Sequence, residues 1–413
     1  MADAKRDLIV VGGGPAGIST ALHVADSAPA AISRILVLEK ARYPREKYCA
    51  GAVGGRALRL LERIGVRVDA PSVPIAAISL RVAGELLVLR EPDLGIVVRR
   101  IQFDEAFARE ATRRGIEVRD GAGVERIEPG ADGVRVHLGS GEVLEARAVV
   151  GADGVAGAVR RSAGLSRARL RAQVIEVDTE VTRGDAPRDT IHFDFGDPDL
   201  AGYAWDFPTL VDGQELVCRG VYRIAKGGER AAGATDTVRP DDVRTRLARF
   251  LETKGLDIAR YRLKPFAEQG FEPTERISAP RVLLVGEAAG IDIATGEGIA
   301  QAIQYGAVAG RYLARALERD DLAFSDWLAH VRGKRLGWQL RQRLWFCRRF
   351  YGAERPVMER LMLGMPSALR LGMLQFAGKA FSPVALARAV TEAFPEAVHL
   401  GPGRVLRALR DGG

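Results

Sequence analysis

An apolar run that ends in a glycine-rich turn lies near the start of the chain and constrains its fold most. Residues 8–11 are apolar and lead into the glycine-rich residues 12–17. A helical pattern follows over residues 18–25, and a second apolar run, residues 35–38, ends in Glu39. This order predicts a strand, a tight turn, a helix and a second strand, the unit that holds a dinucleotide, with the final acid accepting hydrogen bonds from a ribose. The alternative is an ordinary buried strand–turn–helix unit.

Each residue of the turn has its own task in a dinucleotide site. Gly12 permits the tight turn, Gly14 lets the backbone approach a pyrophosphate, and Gly17 lets the helix pack closely on the strand. Pro15 and Ala16 open the helix, whose free N–H groups and positive dipole end favour phosphates.

The composition is that of a globular protein with a basic surface. The 413 residues carry a net charge of +8, and 47% are hydrophobic. The basic excess suits nucleotide cofactors and acidic membrane surfaces, although an arginine-rich solvated surface is the plain alternative. We expect no nucleic-acid partner, because the chain has no recognition-helix, zinc-finger or RNA-binding signature.

The positions of the cysteines and histidines indicate the redox compartment and whether a metal site is expected. Cys49, Cys218 and Cys347 are far apart, so we expect no disulfide framework and a reducing, cytoplasmic location. The histidines lack metal-ligand spacing, so we expect no metal site. No run of about 18 apolar residues is present, so we expect no membrane span.

The pattern of apolar residues predicts an α/β chain in which one domain is inserted into another. Helices are expected over residues 52–64 and 296–317, among others, and residues 166–270 alternate as antiparallel strands do. The expected segments are 1–75, 99–165 and 271–320 for the nucleotide-binding domain, 76–98 and 166–270 for the substrate domain, and 321–413 for a helical C-terminal region.

Two further glycine motifs occur later in the chain, each where a strand turns into a helix. Residues 151–161 carry Asp153 in the turn, and residues 283–299 carry Glu287. An acid in such a turn can hold a polyol hydroxyl while the N–H groups of the helix face an anion.

The order of the three motifs resembles the group A flavoprotein family, typified by para-hydroxybenzoate hydroxylase and geranylgeranyl reductases. The resemblance extends over about residues 7–317. It implies an FAD cofactor held by a Rossmann-like domain, with the flavin ring between that domain and an inserted, mostly antiparallel β-sheet. The helical C-terminal region follows these two domains.

Carried over by position, the resemblance places sixteen residues at the cofactor. They are Gly12, Gly14, Pro15, Ala16, Gly17, Glu39, Lys40, Lys47, Arg100, Val124, Asp153, Gly286, Glu287, Gly296, Gly298 and Ile299. Gly296 and Gly298 correspond to the turn at the pyrimidine edge of the flavin, where N–H groups can stabilise a reduced ring. The sequence departs from the family at Glu287, usually Asp, at Ile293, often Pro, and at Gly157, commonly Ser.

Two short segments resemble the geranylgeranyl type more closely. Residues 203–208 resemble the Tyr-x-Trp-x-Phe-Pro signature, and residues 47–51 resemble the Lys-x-Cys-Gly-Gly element. The resemblance implies that Cys49, Tyr203 and Trp205 lie on the substrate side of the flavin. The alternatives are a plain aromatic sheet core and a buried structural cysteine.

The C-terminal region combines tryptophan with many arginines. Trp338 and Trp345 are seven residues apart, on one helical face. Such a basic amphipathic helix can contact a membrane surface or cover a lipid pocket. Alternatively, it packs on the body of the protein with an arginine-rich outer face.

Three functions follow as hypotheses. The first is an FAD-dependent reductase that passes a hydride from flavin N5 to a C=C bond of an apolar, prenyl or lipid-like substrate. The second is a flavin monooxygenase that uses NAD(P)H and O₂ to hydroxylate an aromatic ring on a small molecule, carrier or peptide. The third is a non-catalytic flavin-bearing assembly protein. NAD(P)H is the candidate electron donor, and the oligomeric state stays open.

Overall fold

The computed structural model describes residues 5–166, 169–225, 240–352, 354–379 and 383–410. Two β-sheets form its framework. Their strands are β1 (Arg6–Val11), β2 (Ile35–Leu38), β3 (Ala52–Gly54), β4 (Ser72–Val82), β5 (Glu85–Val98), β6 (Glu117–Arg119), β7 (Val124–Pro129), β8 (Val134–Leu138), β9 (Val143–Gly151), β10 (Arg171–Thr179), β11 (Thr190–Asp194), β12 (Gly202–Val211), β13 (Gln214–Ala225), β14 (Lys264–Gln269), β15 (Ser278–Ala279) and β16 (Val282–Leu284).

Helices cover both sheets and make up most of the C-terminal region. They are α1 (Pro15–Ser27), α2 (Gly55–Glu62), α3 (Arg100–Arg113), α4 (Ala158–Ser162), α5 (Pro240–Glu252), α6 (Ile299–Arg319), α7 (Trp327–Arg332), α8 (Arg335–Phe350), α9 (Arg355–Leu363), α10 (Pro366–Ala377), α11 (Pro383–His399) and α12 (Pro402–Arg410).

The first sheet is largely parallel. Its strands lie in the order β15-β16-β9-β1-β2-β6, and β8 and β7 extend it from β9. β1 pairs in parallel with both β2 and β9. Nearly every residue of β1 and all of β2 are buried, as expected for parallel strands that are covered on both faces. The predicted Rossmann-like layer is confirmed.

The second sheet is mostly antiparallel, as predicted. Its order is β14-β10-β13-β12-β11-β4-β5-β3, and its one parallel pair joins β11 to β4. Residues 226–239 of the expected substrate domain lie outside the described residues.

Two element boundaries differ from the sequence prediction. Residues 52–54, expected to open a helix, form β3 instead, because their backbone pairs with Val97, Ile96 and Gly95 of β5. The expected helix over residues 296–317 begins only at Ile299. Gly296 has a φ of +65°, a left-handed conformation that a right-handed helix does not contain. In addition, β4 spans the expected domain boundary after residue 75.

The N-terminal helix α1 packs on α6 through two glycines. A Cβ on Gly306 would lie 2.3 Å from Ser19 Oγ, and one on Gly310 would lie 2.3 Å from His23 Cβ. The two helices are therefore close enough for backbone to meet side chain directly, and this contact fixes the start of α1 against α6.

The C-terminal helices pack on the second sheet. Leu344, Cys347 and Phe350 of α8 and Met373 of α10 belong to one buried cluster with the aromatic residues of β12. Trp338 and Trp345 on the outer side of α8 are 46% and 43% exposed. None of the helices in the described residues combines the length and the apolar content that a membrane crossing requires.

We expect Gly306→Ala to lower the free energy of unfolding by about 1–3 kcal/mol, because the added methyl group overlaps Ser19. The matched control is Gly372→Ala in α10, where a Cβ has no neighbour within 4 Å. This change should raise stability by roughly 0.5–1 kcal/mol through helix propensity. Urea unfolding of both variants measures the difference, and equal midpoints would contradict the packing described.

Candidate functional site

The three glycine motifs meet at the start of α1. A Cβ on Gly12, which has a φ of +110°, would lie 2.3 Å from the carbonyl oxygen of Ala152 in the second motif. A Cβ on Gly286, in the third motif, would lie 2.5 Å from Ala16 Cβ. Gly17 closes the turn, since its Cβ would lie 1.9 Å from the Gly12 carbonyl oxygen. The motifs therefore converge on one place through backbone contacts that larger residues would prevent.

Gly14 is different, because no protein atom fills the space beside it closely. It stands before the first residue of α1, Pro15. A Cβ on Gly14 would have only Arg45 Nη2 and Arg100 Nη2 near it, each at 3.7 Å. A helix N-terminus with an open glycine and two guanidinium groups suits a diphosphate.

The two arginines are held in place by carboxylates. Arg100 makes two hydrogen bonds of 2.6 Å with Asp104. Arg45 lies 3.0 Å from Asp104 Oδ2, an oxygen that also accepts from Arg100, and 3.2 Å from Glu39 Oε2. The buried carboxylates of Asp104 and Glu39 together compensate the two positive charges, so the guanidinium groups stay fixed beside Gly14.

Glu39 lies at the end of β2 and faces the turn. Its carboxylate accepts hydrogen bonds from the backbone N–H groups of Gly13 and Ala41, both at 3.0 Å. Lys40 is exposed, and its Cβ would be 3.5 Å from a Cβ on Gly123, the residue before Val124. The structure thus brings Lys40 and Val124 to the Glu39 end of the sheet, where the sequence predicts the adenine ribose.

Asp153 lies in the turn of the second motif. Its Oδ2 accepts a 2.9 Å hydrogen bond from the N–H of Val159 in α4, while Oδ1 has no hydrogen-bond partner. Burial raises the pKa of Asp153, and the N–H donors of α4 oppose that shift. A Cβ on Gly157 would lie 2.2 Å from Asp153 Oδ1. Glycine at position 157, where the family resemblance predicts Ser, therefore leaves room for the Asp153 carboxylate.

The third motif is joined to the segment around Cys49. Glu287 Oε2 lies 3.9 Å from Lys47 Nζ and 3.4 Å from the position of a Cβ on Gly154. The Lys47 ammonium also lies over the ring of Phe266, 5.9 Å from its centroid. Lys47 and Glu287, both predicted at the cofactor, are thus neighbours.

An ion-pair cluster fixes the turn from Thr295 to Gly298, just before α6. Arg343 of α8 donates 2.5 Å and 2.9 Å hydrogen bonds to Asp292 and Thr295, and it lies 2.6 Å from Glu297. Burial disfavours the charged guanidinium, but the neighbouring Glu297 and Asp292 outweigh it and raise the pKa of Arg343. The C-terminal region is therefore tied directly to this turn.

A cavity of about 810 Å³ lies between one face of the second sheet, this turn and helices α8 and α10. Most of its walls are apolar. Its lining residues include Cys49, Ile78, Leu80, Leu89, Val174, Ile191, Phe193, Tyr203, Trp205, Phe207, Tyr222, Phe266, Glu268, Gly296, Gly298, Trp338, Trp345, Leu369 and Met373.

The cavity is long. Its walls include Glu268 on β14 and Leu80 on β4, and five strand-to-strand steps separate these strands. At about 4.8 Å per step, the cavity spans roughly 24 Å of the sheet. The turn at Gly296 lies at the β14 end, because a Cβ on Gly296 would be 3.2 Å from Glu268 Oε2.

Tyr203 and Trp205 both line the cavity, as expected for alternate residues of a strand. The Tyr203 hydroxyl donates a 2.6 Å hydrogen bond to the carbonyl oxygen of Thr295, and its ring stacks on Tyr222 at 5.1 Å. The Trp205 indole N–H is buried and has no hydrogen-bond partner within the described part of the chain. Both residues therefore form the sheet core and the cavity wall at once.

Cys49 lies in the same wall but is a weak acid. Its backbone N–H donates a 3.0 Å hydrogen bond to Glu176, and burial raises the pKa of the thiol to about 11, although Arg100 opposes that shift. The thiol is therefore protonated at neutral pH.

Sequence reasoning missed four residues that shape the site. They are Arg45, Tyr222, Glu268 and Arg343. Each reaches the site from an element outside the three motifs. None of the motifs considered in the sequence analysis contains any of these four residues.

Comparisons with known proteins agree with this geometry. A family described as FAD binding domain matches residues 5–325. A digeranylgeranylglycerophospholipid reductase from Methanothrix thermoacetophila is 28% identical over 345 residues, covering 79% of this chain and 82% of that protein.

Two solved structures share the fold. A geranylgeranyl bacteriochlorophyll reductase-like protein from Thermoplasma acidophilum has a TM-score of 0.69 and 20% identity, covering 97% of this chain and 99% of its own. A peptidyl tryptophan dihydroxylase has a TM-score of 0.59 and 22% identity, covering 84% and 75%.

We expect Gly14→Ala to leave the fold intact and to weaken FAD binding by at least tenfold. The protein alone has room for the methyl group, whereas a diphosphate approaching the backbone does not. Fluorescence titration with FAD measures the affinity, and thermal unfolding of the cofactor-free protein measures the fold. The control is Gly184→Ala, where a Cβ has no neighbour within 4 Å. Equal FAD affinity in both variants would contradict this assignment.

Proposed function

The chain belongs to the FAD binding domain family and is an FAD-dependent oxidoreductase; on this premise we propose that it reduces a C=C bond of a long, apolar, prenyl or lipid-like substrate. The support is the cavity, which is mostly apolar, spans roughly 24 Å of sheet and begins at the turn of Gly296. A ring-sized aromatic substrate needs neither this length nor walls of this kind.

The residues of the chain divide the work between cofactor and substrate. Bound FAD, once reduced, supplies the hydride. The turn of Gly14, with Arg45 and Arg100, holds the diphosphate, and the Glu39 carboxylate receives the ribose. The aromatic wall of Tyr203 and Trp205 binds the apolar chain and keeps water from the reacting carbons. We propose NAD(P)H as the electron donor, on the family resemblance alone.

An anaerobic assay tests the reaction. Protein loaded with FAD and reduced by dithionite or NAD(P)H should saturate double bonds of long isoprenoid alcohols or lipids, detected by mass spectrometry as a gain of two hydrogens per bond. Hydroxylated product or peroxide formed only with O₂ and NAD(P)H would instead support the monooxygenase. A flavin that every donor leaves oxidised would support the non-catalytic role.

The length of the cavity gives this assay a structural control. Leu80→Trp fills the cavity at the β4 end, so we expect the rate on long chains to fall at least tenfold while short chains are reduced normally. The matched control is Leu86→Trp, because Leu86 is 56% exposed on the neighbouring strand. Equal losses on long and short chains would contradict the proposed binding mode.

We further propose that the substrate reaches the cavity from a bilayer with anionic lipids. Trp338 and Trp345 line the cavity and are also exposed, so they stand at its mouth. The helix that carries them, α8, contains five arginines and no acidic residue. Arg349 lies over the Trp345 ring, 4.4 Å from its centroid. Exposed indoles beside guanidinium groups suit the interface of an anionic membrane.

Vesicle co-sedimentation tests this contact. The protein should bind vesicles of anionic lipid more strongly than neutral ones, and a double variant, Trp338→Ser with Trp345→Ser, should lose most of that binding. The control is Val143→Ser, since Val143 is 48% exposed and lies on the first sheet. Unchanged binding in the double variant would exclude α8 as the contact.

A further inference from the structure

Reduction of a C=C bond requires a proton as well as a hydride, and the cavity contains few groups that can give one. The cysteine, tyrosine and glutamate side chains that line it are Cys49, Tyr203, Tyr222, Glu268 and Glu297. Two of these five side chains already interact with other residues. Tyr203 donates its hydroxyl hydrogen to the Thr295 carbonyl oxygen, and Glu297 is ion-paired with Arg343.

Glu268 has the position that a proton donor needs. Oε2 of its carboxyl group has no close hydrogen-bond partner among the described residues, and the Tyr222 hydroxyl faces this carboxyl group. Oε2 lies 3.2 Å from the position of a Cβ on Gly296, in the turn expected at the edge of the flavin. Among the described residues that line the cavity, Glu268 is the one acid without an ion pair.

We propose that Glu268 is the acid that protonates the substrate during C=C reduction; this proposal rests on the proposed function. The alkene gains a hydride from reduced FAD at one carbon and the carboxyl proton of Glu268 at the adjacent carbon. The π bond breaks, two C–H bonds form, and the flavin is oxidised. The carboxylate left on Glu268 regains its proton from solvent before the next turnover.

The surroundings of Glu268 keep its carboxyl group protonated until it is used. Burial raises its pKa well above the usual value, and the negative charge of Glu287 adds to the effect, while the Tyr222 hydroxyl and the Lys47 ammonium group oppose it. Asp292 is the other facing carboxylate and acts in the same direction as Glu287. The Cys49 thiol, with a pKa of about 11, is a much weaker acid.

The pH dependence of alkene reduction follows from the upward shift of the Glu268 pKa. A carboxyl group with a raised pKa carries its proton at low and neutral pH and loses it as the pH rises through that pKa. The rate of C=C reduction in single turnover should therefore be highest at low pH and fall with rising pH. A variant without the carboxyl group should show a low rate without this transition.

The variant Glu268→Gln tests the donor. Gln is neutral and of the same shape, like the protonated acid, so we expect an unchanged Tm and normal FAD uptake. The rate of alkene reduction should fall about 100- to 10,000-fold, the range for loss of a general acid. Glu268→Asp should recover part of that rate. The control is Glu272→Gln, because Glu272 pairs with Arg348 outside the cavity.

A second readout does not depend on activity. The infrared spectrum of the wild-type protein should show the C=O stretch of a protonated carboxylic acid. This band should shift in D₂O, and it should be missing from the spectrum of Glu268→Gln. If that band is absent from the wild type, Glu268 is ionised and the proposal is overturned. It is equally overturned if the wild type reduces alkenes and Glu268→Gln does so at the same rate. A wild type that shows the band but reduces no alkene would overturn the proposed function, and the proton transfer with it.

Discussion

The close approach of three backbone turns at the start of α1 is the constraint on which the rest of the site depends. Gly12 touches Ala152, and Gly286 touches Ala16, at separations that leave no room for a Cβ. These contacts bring the ends of β1, β9 and β16 to one edge of a parallel sheet, where ligands of α/β proteins bind. They also set the position of α6, whose first turn follows the loop that bounds the apolar cavity.

Arg343 extends this constraint to the C-terminal region. A partly buried guanidinium group between Asp292 and Glu297 is stable only while both carboxylates stay in place. The ion pairs of Arg343 therefore fix helix α8 and the Thr295–Gly298 turn relative to one another. Helix α8 also forms one wall of the cavity. Helix α8 packs Leu344, Cys347 and Phe350 into the core and leaves Trp338 and Trp345 exposed. One face of the helix therefore packs on the body of the protein, and contact of the other face with lipid is a proposal.

The sequence alone predicted the parts of the site that depend on local conformation. The turn after β1, the acid at the end of β2 and the later glycine motifs are each encoded by a few adjacent residues, because positive φ and close packing demand glycine. Arg45, Glu268 and Arg343 could not be found in this way. Each is an ordinary charged residue in its own segment, and only long-range strand order and helix packing bring it to the site. The helix expected from residue 52 was wrong for a related reason: its first three residues pair with β5, a contact that apolar periodicity does not encode.

Burial links the binding role of the cavity to its chemistry. An apolar space that excludes water suits a long hydrocarbon chain, and it also makes an ionised carboxylate unfavourable. Glu268, placed at the end of this space without a cationic partner in the described residues, is therefore stable in its neutral form, the only form that can give a proton. The Lys47 ammonium group favours the ionised form of Glu268, but it lies 3.9 Å from the Glu287 carboxylate, whose negative charge acts in the opposite direction. Burial therefore outweighs the opposing charge of Lys47 and favours the neutral carboxyl group that the proposed proton transfer requires.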